Sequence, residues 1–307
     1  MSQKSSAPPR REVQFQSGDS FCSAWLYLPE TAVGERVPMV VMGHGLGATR
    51  ELRLAAYAER FVSAGMAVLA FTYRNLGDSG GEPRQVLSMP KQLADWDAAI
   101  EYVASLPEVD DKRIAVWGTS LGGGHAIAVA ARHPELRAAV SQCPFTDGLK
   151  SANVLTPREL LQISGYVARD LFAAVRGKDP VCIPVAAAPG EVGLMQAPDA
   201  LPGMLALVPP GHDFVNQAAA RSLLSIVKYR PGRASRKIVP PILVCISKND
   251  SVAPADVAEH YARQAPRGDV RFYDAGHFGF YVGAAFEELV ADQLEFLVKH
   301  LEPAVAG

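Results

Sequence analysis

Arg113-Ile-Ala-Val-Trp-Gly-Thr-Ser-Leu-Gly-Gly-Gly-His-Ala-Ile-Ala-Val-Ala-Ala-Arg132 is the stretch on which the fold turns. Ile114 to Trp117 is a run of β-formers, Gly118-Thr119-Ser120-Leu121-Gly122 is a turn, and an alanine-rich helical segment leaves it. A serine at the tip of so sharp a turn sits in a strained backbone conformation. Side chains at the flanking positions would collide with the neighbouring strand and helix, which is why glycines stand at 118 and 122. A helix starting at Leu121 points its amides at the place where negative charge would develop beside Ser120. G-x-S-x-G recurs by chance; between a buried strand and a small-residue helix it is specific.

The flanking sequence repeats this strand-then-helix unit. Residues 13–17 and 21–28 alternate with period two around Gly18-Asp19, which predicts an antiparallel pair. After a loop over 30–38, residues 38–42 form a continuous apolar run ending in His44-Gly-Leu-Gly47, as expected of a strand covered on both faces. Helices are predicted over 50–64, stopped by Gly65, and over 89–106, closed by Pro107. A buried strand over 66–73 and a glycine-rich loop over 75–81 lie between them. Further strands are predicted over 138–142, 241–246 and 269–273, with helices over 254–264 and 284–301. Strands separated by helices imply crossover connections and a mostly parallel sheet in an α/β architecture.

Between residues 146 and 237 this rhythm breaks. Residues 157–175 and 213–228 read as helices and 230–236 as a basic loop. Residues 180–211 are apolar but carry seven prolines, so they form neither a long helix nor a central strand. The core domain is therefore expected over 12–145 and 238–303, with 146–237 inserted into it. No internal repeat is found.

The 307 residues suffice for one large domain or for a core plus an inserted piece. With 49% hydrophobic residues, 20% charged residues and a net charge of -2, nothing points to nucleic acid or to a membrane surface. Residues 1–11 are polar, without the apolar centre of a signal peptide, and no run of about 18 apolar residues occurs. Cys22, Cys143, Cys182 and Cys245 lack C-x-x-C spacing, and all but Cys182 fall in or beside strand-like runs, where a thiol acts as a small hydrophobe. Reduced, buried cysteines suit a cytoplasmic protein.

Gly118 to Gly122 resembles the nucleophile elbow of the α/β-hydrolase superfamily, and further matches at the His44 loop, Asp250 and His277 extend the likeness over nearly the whole chain. The resemblance implies a mostly parallel eight-stranded sheet with helices on both faces. It also implies that the 146–237 insertion is a cap, covering the nucleophile and shaping the substrate pocket.

A serine hydroxyl is a weak nucleophile at neutral pH and needs a base within hydrogen-bond reach and a group that orients the base. By resemblance these are Ser120, His277 and Asp250, and Ser120, Asp250, His277 is the chain order this fold uses. In a parallel sheet the carboxyl ends of the strands share one edge, so three separate loops can converge there. Asp147, just after the preceding strand, occupies an alternative place for the acid. Asp274 reads as a loop or strand-end residue, His44 as a support of the oxyanion loop and His125 as a residue of the helix after the elbow.

The expected oxyanion donors are the amides of Leu121, directly after the nucleophile, and of Leu46, in a loop resembling H-G-x loops. Phe145 and Met204 are expected to contact substrate. Three side chains and two amides close the chemistry, so neither cofactor nor metal is expected. The 75–81 loop lacks G-x-G-x-x-G spacing, zinc-ligand spacings are missing, and Asp78 alone makes no calcium loop.

These residues predict a serine hydrolase cleaving a carboxylic ester or thioester of a small molecule through an acyl-enzyme. Ser120 argues against haloalkane dehalogenase and epoxide hydrolase chemistry, which on this fold uses an aspartate nucleophile. Residues 73–83 look like a group related to dienelactone hydrolases and acetyl-esterase-type proteins, and are similar to acyl-releasing enzymes of polyketide pathways. The same triad would serve acyl transfer to an alcohol or amine where the cap excludes water, or peptide hydrolysis. A non-catalytic binding protein would have no need of the Ser/Asp/His set.

Overall fold

The computed structural model describes residues 9–30, 35–152 and 157–303. Most of the 1–11 segment and part of the 30–38 loop read above lie outside those residues. The chain opens with an antiparallel pair, β1 (Arg10–Ser17) and β2 (Ser20–Tyr27), in which Ser17 stands opposite Ser20 across the turn. There follow β3 (Val37–Gly43), α1 (Leu54–Ser63), β4 (Ala67–Phe71), α2 (Met89–Ala104), β5 (Val109–Thr119), α3 (Leu121–Ala130) and β6 (Ala138–Gln142). Next come α4 (Gly148–Ala152), α5 (Pro157–Val175), β7 (Cys182–Ile183), α6 (Ala200–Ala206), β8 (Ala218–Ala219), α7 (Ser222–Lys228) and a 3₁₀ helix, Pro231–Lys237. The chain then returns through β9 (Ile242–Ser247), α8 (Ala255–Ala262), β10 (Gly268–Tyr273), a 3₁₀ turn over His277–Tyr281 and α9 (Gly283–Leu301).

Eight strands form one sheet in the order β1-β2-β4-β3-β5-β6-β9-β10. From β4 to β10 along that order neighbours run parallel, and β2 joins antiparallel at β4. Every residue of β3, β4, β6 and β9 is buried, the signature of strands covered on both faces. Helices α1 and α9 pack together on one face; α2 and α3 pack together on the other, with α8 beyond them. The expected mostly parallel sheet with helices on both faces is the observed one.

Three local expectations need correction. The helix expected over 50–64 begins only at Leu54, after Arg53 at a φ of 70°. Tertiary bonds hold the preceding residues out of the helix: the Arg50 guanidinium pairs with Asp78 at 2.6 Å and its amide donates to Thr72. The helix expected over 213–228 is confined to Ser222–Lys228. Ala218 and Ala219 pair with β7 instead, and the Asn216 amide bonds both the N–H and the C=O of Ala186, keeping the chain extended. The basic loop is the 3₁₀ helix Pro231–Lys237, whose Gly232 fits against the Tyr261 ring.

Helix α5 packs Ile163 and Val167 against Ile183 and Ala220 in a small separate cluster, while Leu161, Phe172 and Val175 face outward. Among the described residues no helix is long and apolar enough to cross a membrane.

Candidate active site

Strand β5 delivers Ser120 into α3 with no intervening loop. Ser120 has φ 57° and ψ -119°, a conformation that strains a residue with a side chain. Main-chain bonds on both sides pin it. Its N–H donates to Gln142 O at 2.9 Å, and its C=O accepts from Gly124 at 3.1 Å and from Phe145 at 2.9 Å. The flanking glycines are required by contact: a Cβ on Gly118 would lie 1.9 Å from Gly122 O, and one on Gly122 2.5 Å from His44 O.

His277 and Asp250 arrive on the loops after β10 and β9, neighbouring parallel strands whose carboxyl ends lie together. His277 Nε2 lies 3.1 Å from Ser120 Oγ, and Nδ1 lies 2.8 Å and 3.0 Å from the two Asp250 carboxylate oxygens. Asp250 Oδ1 also accepts the amides of Val252 and Ala253 at 2.9 and 2.6 Å, so the carboxylate cannot swing away. With that carboxylate ionised, Nδ1 carries the proton and Nε2 is left to accept from the serine hydroxyl.

Asp147 is buried elsewhere. Its carboxylate takes Arg230 at 2.8 Å and the Tyr261 hydroxyl at 2.7 Å, and caps the amides of Leu149 and Lys150. Burial alone would raise its pKa; the Arg230 and Tyr261 bonds outweigh that and hold it below the usual carboxylate value. Asp274 accepts from the Asn249 side chain at 2.8 Å.

His44 donates from Nδ1 to Gly45 O at 2.9 Å and accepts the Tyr73 N–H at Nε2, which ties the loop that carries Leu46 to the segment after β4. His125 sits between Tyr229 and Gln92. Burial pushes His44 down to about 4 and His125 to about 3, so both are neutral at physiological pH.

A buried polar chain beneath the elbow has no counterpart in the sequence reading. Trp117 Nε1 donates to Gln293 at 2.9 Å, Gln293 to Gln142 at 2.9 Å, and Gln142 to Thr119 Oγ1 at 3.0 Å, which meets the Tyr281 hydroxyl. One signal was available: Gln293 interrupts the buried apolar face of α9 among Leu289, Val290, Phe296 and Leu297. A further bond that the sequence did not announce joins Ser251, on the loop after β9, to Asp199 before α6.

Among the described residues, one group gathers three potential metal ligands within 4.8 Å: Cys143, Asp250 and His277. Asp250 and His277 already bond each other, and burial, reinforced by the Asp250 charge, pushes the Cys143 thiol up. A neutral thiol beside an imidazole–carboxylate pair suits a packed core better than thiolate ligation.

Two cavities adjoin Ser120. The larger, about 350 Å³, is walled by Leu121, Phe145, Leu223, Ile226 and Val227, with Glu159, Gln196 and Ser251 at polar points. The smaller, about 30 Å³, is bounded by His277, Leu52, Leu54, Met204, Leu207 and Tyr281. Leu46 and Met195 border both. Of the two expected substrate contacts, Phe145 faces the larger cavity and Met204 the smaller.

The X-Pro dipeptidyl-peptidase (S15 family) model matches residues 22–172. The quorum-quenching protein AidA of Acinetobacter baumannii (strain MDR-ZJ06) is 48% identical over 286 residues, covering 93% of each chain. Thiohydrolase aneE of Aspergillus aculeatus is 27% identical over 299 residues, covering 93% of this chain and 92% of its own. Among solved structures, the α/β hydrolase GrgF from Penicillium sp. sh18 superposes with a TM-score of 0.82 at 23% identity, over 96% of this chain and 99% of that one. The sheet order, the strained serine between β5 and α3, and a relative at 48% identity over nearly the full length converge: the chain belongs to the α/β-hydrolase superfamily and is an enzyme of that kind.

Proposed function

We propose that the chain is a serine hydrolase that cleaves a carboxylic ester or thioester through an acyl-enzyme. One observation carries the reading: an unbroken relay from Ser120 Oγ through His277 to Asp250, opening on an apolar cavity. Ser120 Oγ attacks the carbonyl carbon while His277 Nε2 takes its proton, and the oxyanion is received by the amides of Leu46 and Leu121. The tetrahedral intermediate collapses as the imidazolium protonates the leaving oxygen or sulfur. Water then attacks the acyl carbon, His277 takes the water's proton, and Ser120 departs reprotonated. Asp250 holds the imidazole tautomer and stabilises the imidazolium without taking its proton.

The inserted segment over 146–237 acts in this reading as a cap. It supplies Leu223, Ile226, Val227 and Met195 to the walls around Ser120, and Asp199 to the acid loop. The likeness to a thiohydrolase supports thioesters within the substrate range, and the likeness to a quorum-quenching protein supports a small signalling compound among the substrates.

A fluorophosphonate probe should label wild-type protein at Ser120. Ser120→Ala should fold normally, escape labelling and lose at least about three orders of magnitude in ester turnover, because only the oxyanion donors and binding remain. A folded Ser120→Ala keeping a tenth of the activity contradicts the assignment. An X-Pro p-nitroanilide in the same panel tests the peptidase alternative that the S15 match supports.

A further inference from the structure

The two cavities at Ser120 are not equivalent. The larger one touches Ser120 and Leu121 but not His277; the smaller one touches both Ser120 and His277. In acyl transfer through a serine, the imidazole gives its proton to the departing oxygen and later takes one from the attacking oxygen, so both groups pass on the imidazole side. Cleavage adds the Ser120 Oγ proton to the leaving alkoxide by way of Nε2. Deacylation breaks the acyl–Oγ bond, returns a proton to Oγ and leaves the acid. Leaving group and acceptor therefore share one space.

That space is narrow. Its free volume of about 30 Å³, against about 350 Å³ in the larger cavity, admits a water or a small alkyl group. Five of its lining residues, Leu52, Leu54, Met204, Leu207 and Tyr281, are at most 6% exposed, while Leu46 and Phe278 are half-buried. The five have little room to retreat: a Cβ on Gly203, next to Met204, would lie 2.3 Å from the Phe278 ring.

We infer that the small cavity beside His277 limits the leaving group and the acyl acceptor to methyl or ethyl size, so that the preferred substrate pairs a long apolar acyl chain with a small alcohol and the acceptor is water. This rests on the serine-hydrolase reading. The acyl chain lies in the larger cavity against Phe145 and α7. A bulky thiol or alcohol meets the Met204 wall, which disfavours both its esters as substrates and acyl transfer onto it.

Two isomeric esters test this with overall hydrophobicity held equal: methyl hexanoate and pentyl acetate, followed by pH-stat titration of the full chain. Wild type should show kcat/KM at least about tenfold higher for methyl hexanoate. Met204→Ala should lower that ratio by about tenfold or more by admitting the pentyl group, while Met204→Leu, similar in volume, keeps it. Leu207→Ala, on the same wall, repeats the measurement if Met204→Ala does not fold, and the wild-type ratio stands on its own.

Equal or better use of pentyl acetate by wild type overturns the inference, as does an unchanged ratio in folded alanine variants. Fluorophosphonate labelling keeps the two levels apart. Protein labelled at Ser120 that prefers pentyl acetate refutes only the cavity assignment. Protein that is neither labelled nor active on either isomer refutes the serine-hydrolase reading and this inference with it.

Discussion

Asp250→Asn changes one atom of the relay and leaves its shape. Oδ1 already accepts the amides of Val252 and Ala253 at 2.9 and 2.6 Å, so the asparagine oxygen stays at that position. The new NH₂ group then replaces Oδ2, the oxygen 2.8 Å from His277 Nδ1. The donor at 2.8 Å lies closer to Nδ1 than the retained oxygen at 3.0 Å, which favours Nδ1 as the acceptor and the ring proton on Nε2. That nitrogen, 3.1 Å from Ser120 Oγ, can no longer take the serine proton. The loss expected for a wrong tautomer in an otherwise intact triad is about 10⁴ in kcat, or about 5 kcal/mol of barrier. Steady-state kinetics on methyl hexanoate measure it, with circular dichroism confirming the fold. Asp147→Asn is the control: loss of the Arg230 partner should lower the melting temperature while kcat stays within about tenfold. An Asp250→Asn enzyme retaining more than about a hundredth of wild-type kcat would refute the tautomer argument. So would a larger kcat loss from Asp147→Asn.

Two further outcomes follow from buried groups. His44 and His125 have folded pKa values lowered to about 4 and about 3, so between those values and 6.5 the unfolded chain binds more protons. Stability is fully present above about 6.5 and drains away as pH falls toward 4; a urea midpoint identical at pH 7 and pH 4.5 contradicts this. Gln293→Leu strands the Trp117 N–H and the Gln142 side-chain oxygen, at about 1–3 kcal/mol each, and should destabilise the fold by at least about 2 kcal/mol in urea titration. A cost under about 0.5 kcal/mol would mean that the network relaxes around the gap.

The sheet was legible because its signals are local. Continuous apolar runs, Gly65 and Pro107 as stops, and the glycines around Ser120 each state their meaning within a few residues. The proximity of Ser120, Asp250 and His277 could be anticipated because parallel strands bring their carboxyl ends to one edge. Long-range contacts stayed hidden. Nothing near 213–221 announces that Asn216 will bond the backbone at Ala186 in place of a helical turn. Residue type suggested Met204 as a substrate contact, but which of two cavities it borders depends on the packing of α6 against the turn at His277. The Gln142–Gln293 link joins residues 151 positions apart, beyond any periodicity.

Phe145 meets Ser120 through its main chain, donating its N–H to Ser120 O at 2.9 Å while its side chain faces the larger cavity. In the serine hydrolase proposed above, this divides the ways in which substrate range can drift over evolution. Leu223, Ile226 and Val227 lie on α7, remote in sequence from the elbow, and can exchange size and shape without moving the reacting oxygen. Position 145 can exchange its side chain but not its backbone, since a proline there would remove a support of the strained serine. New specificities should therefore arise by reshaping the α7 side of the pocket, with the strand-end side kept as the fixed reference against which the carbonyl is aligned.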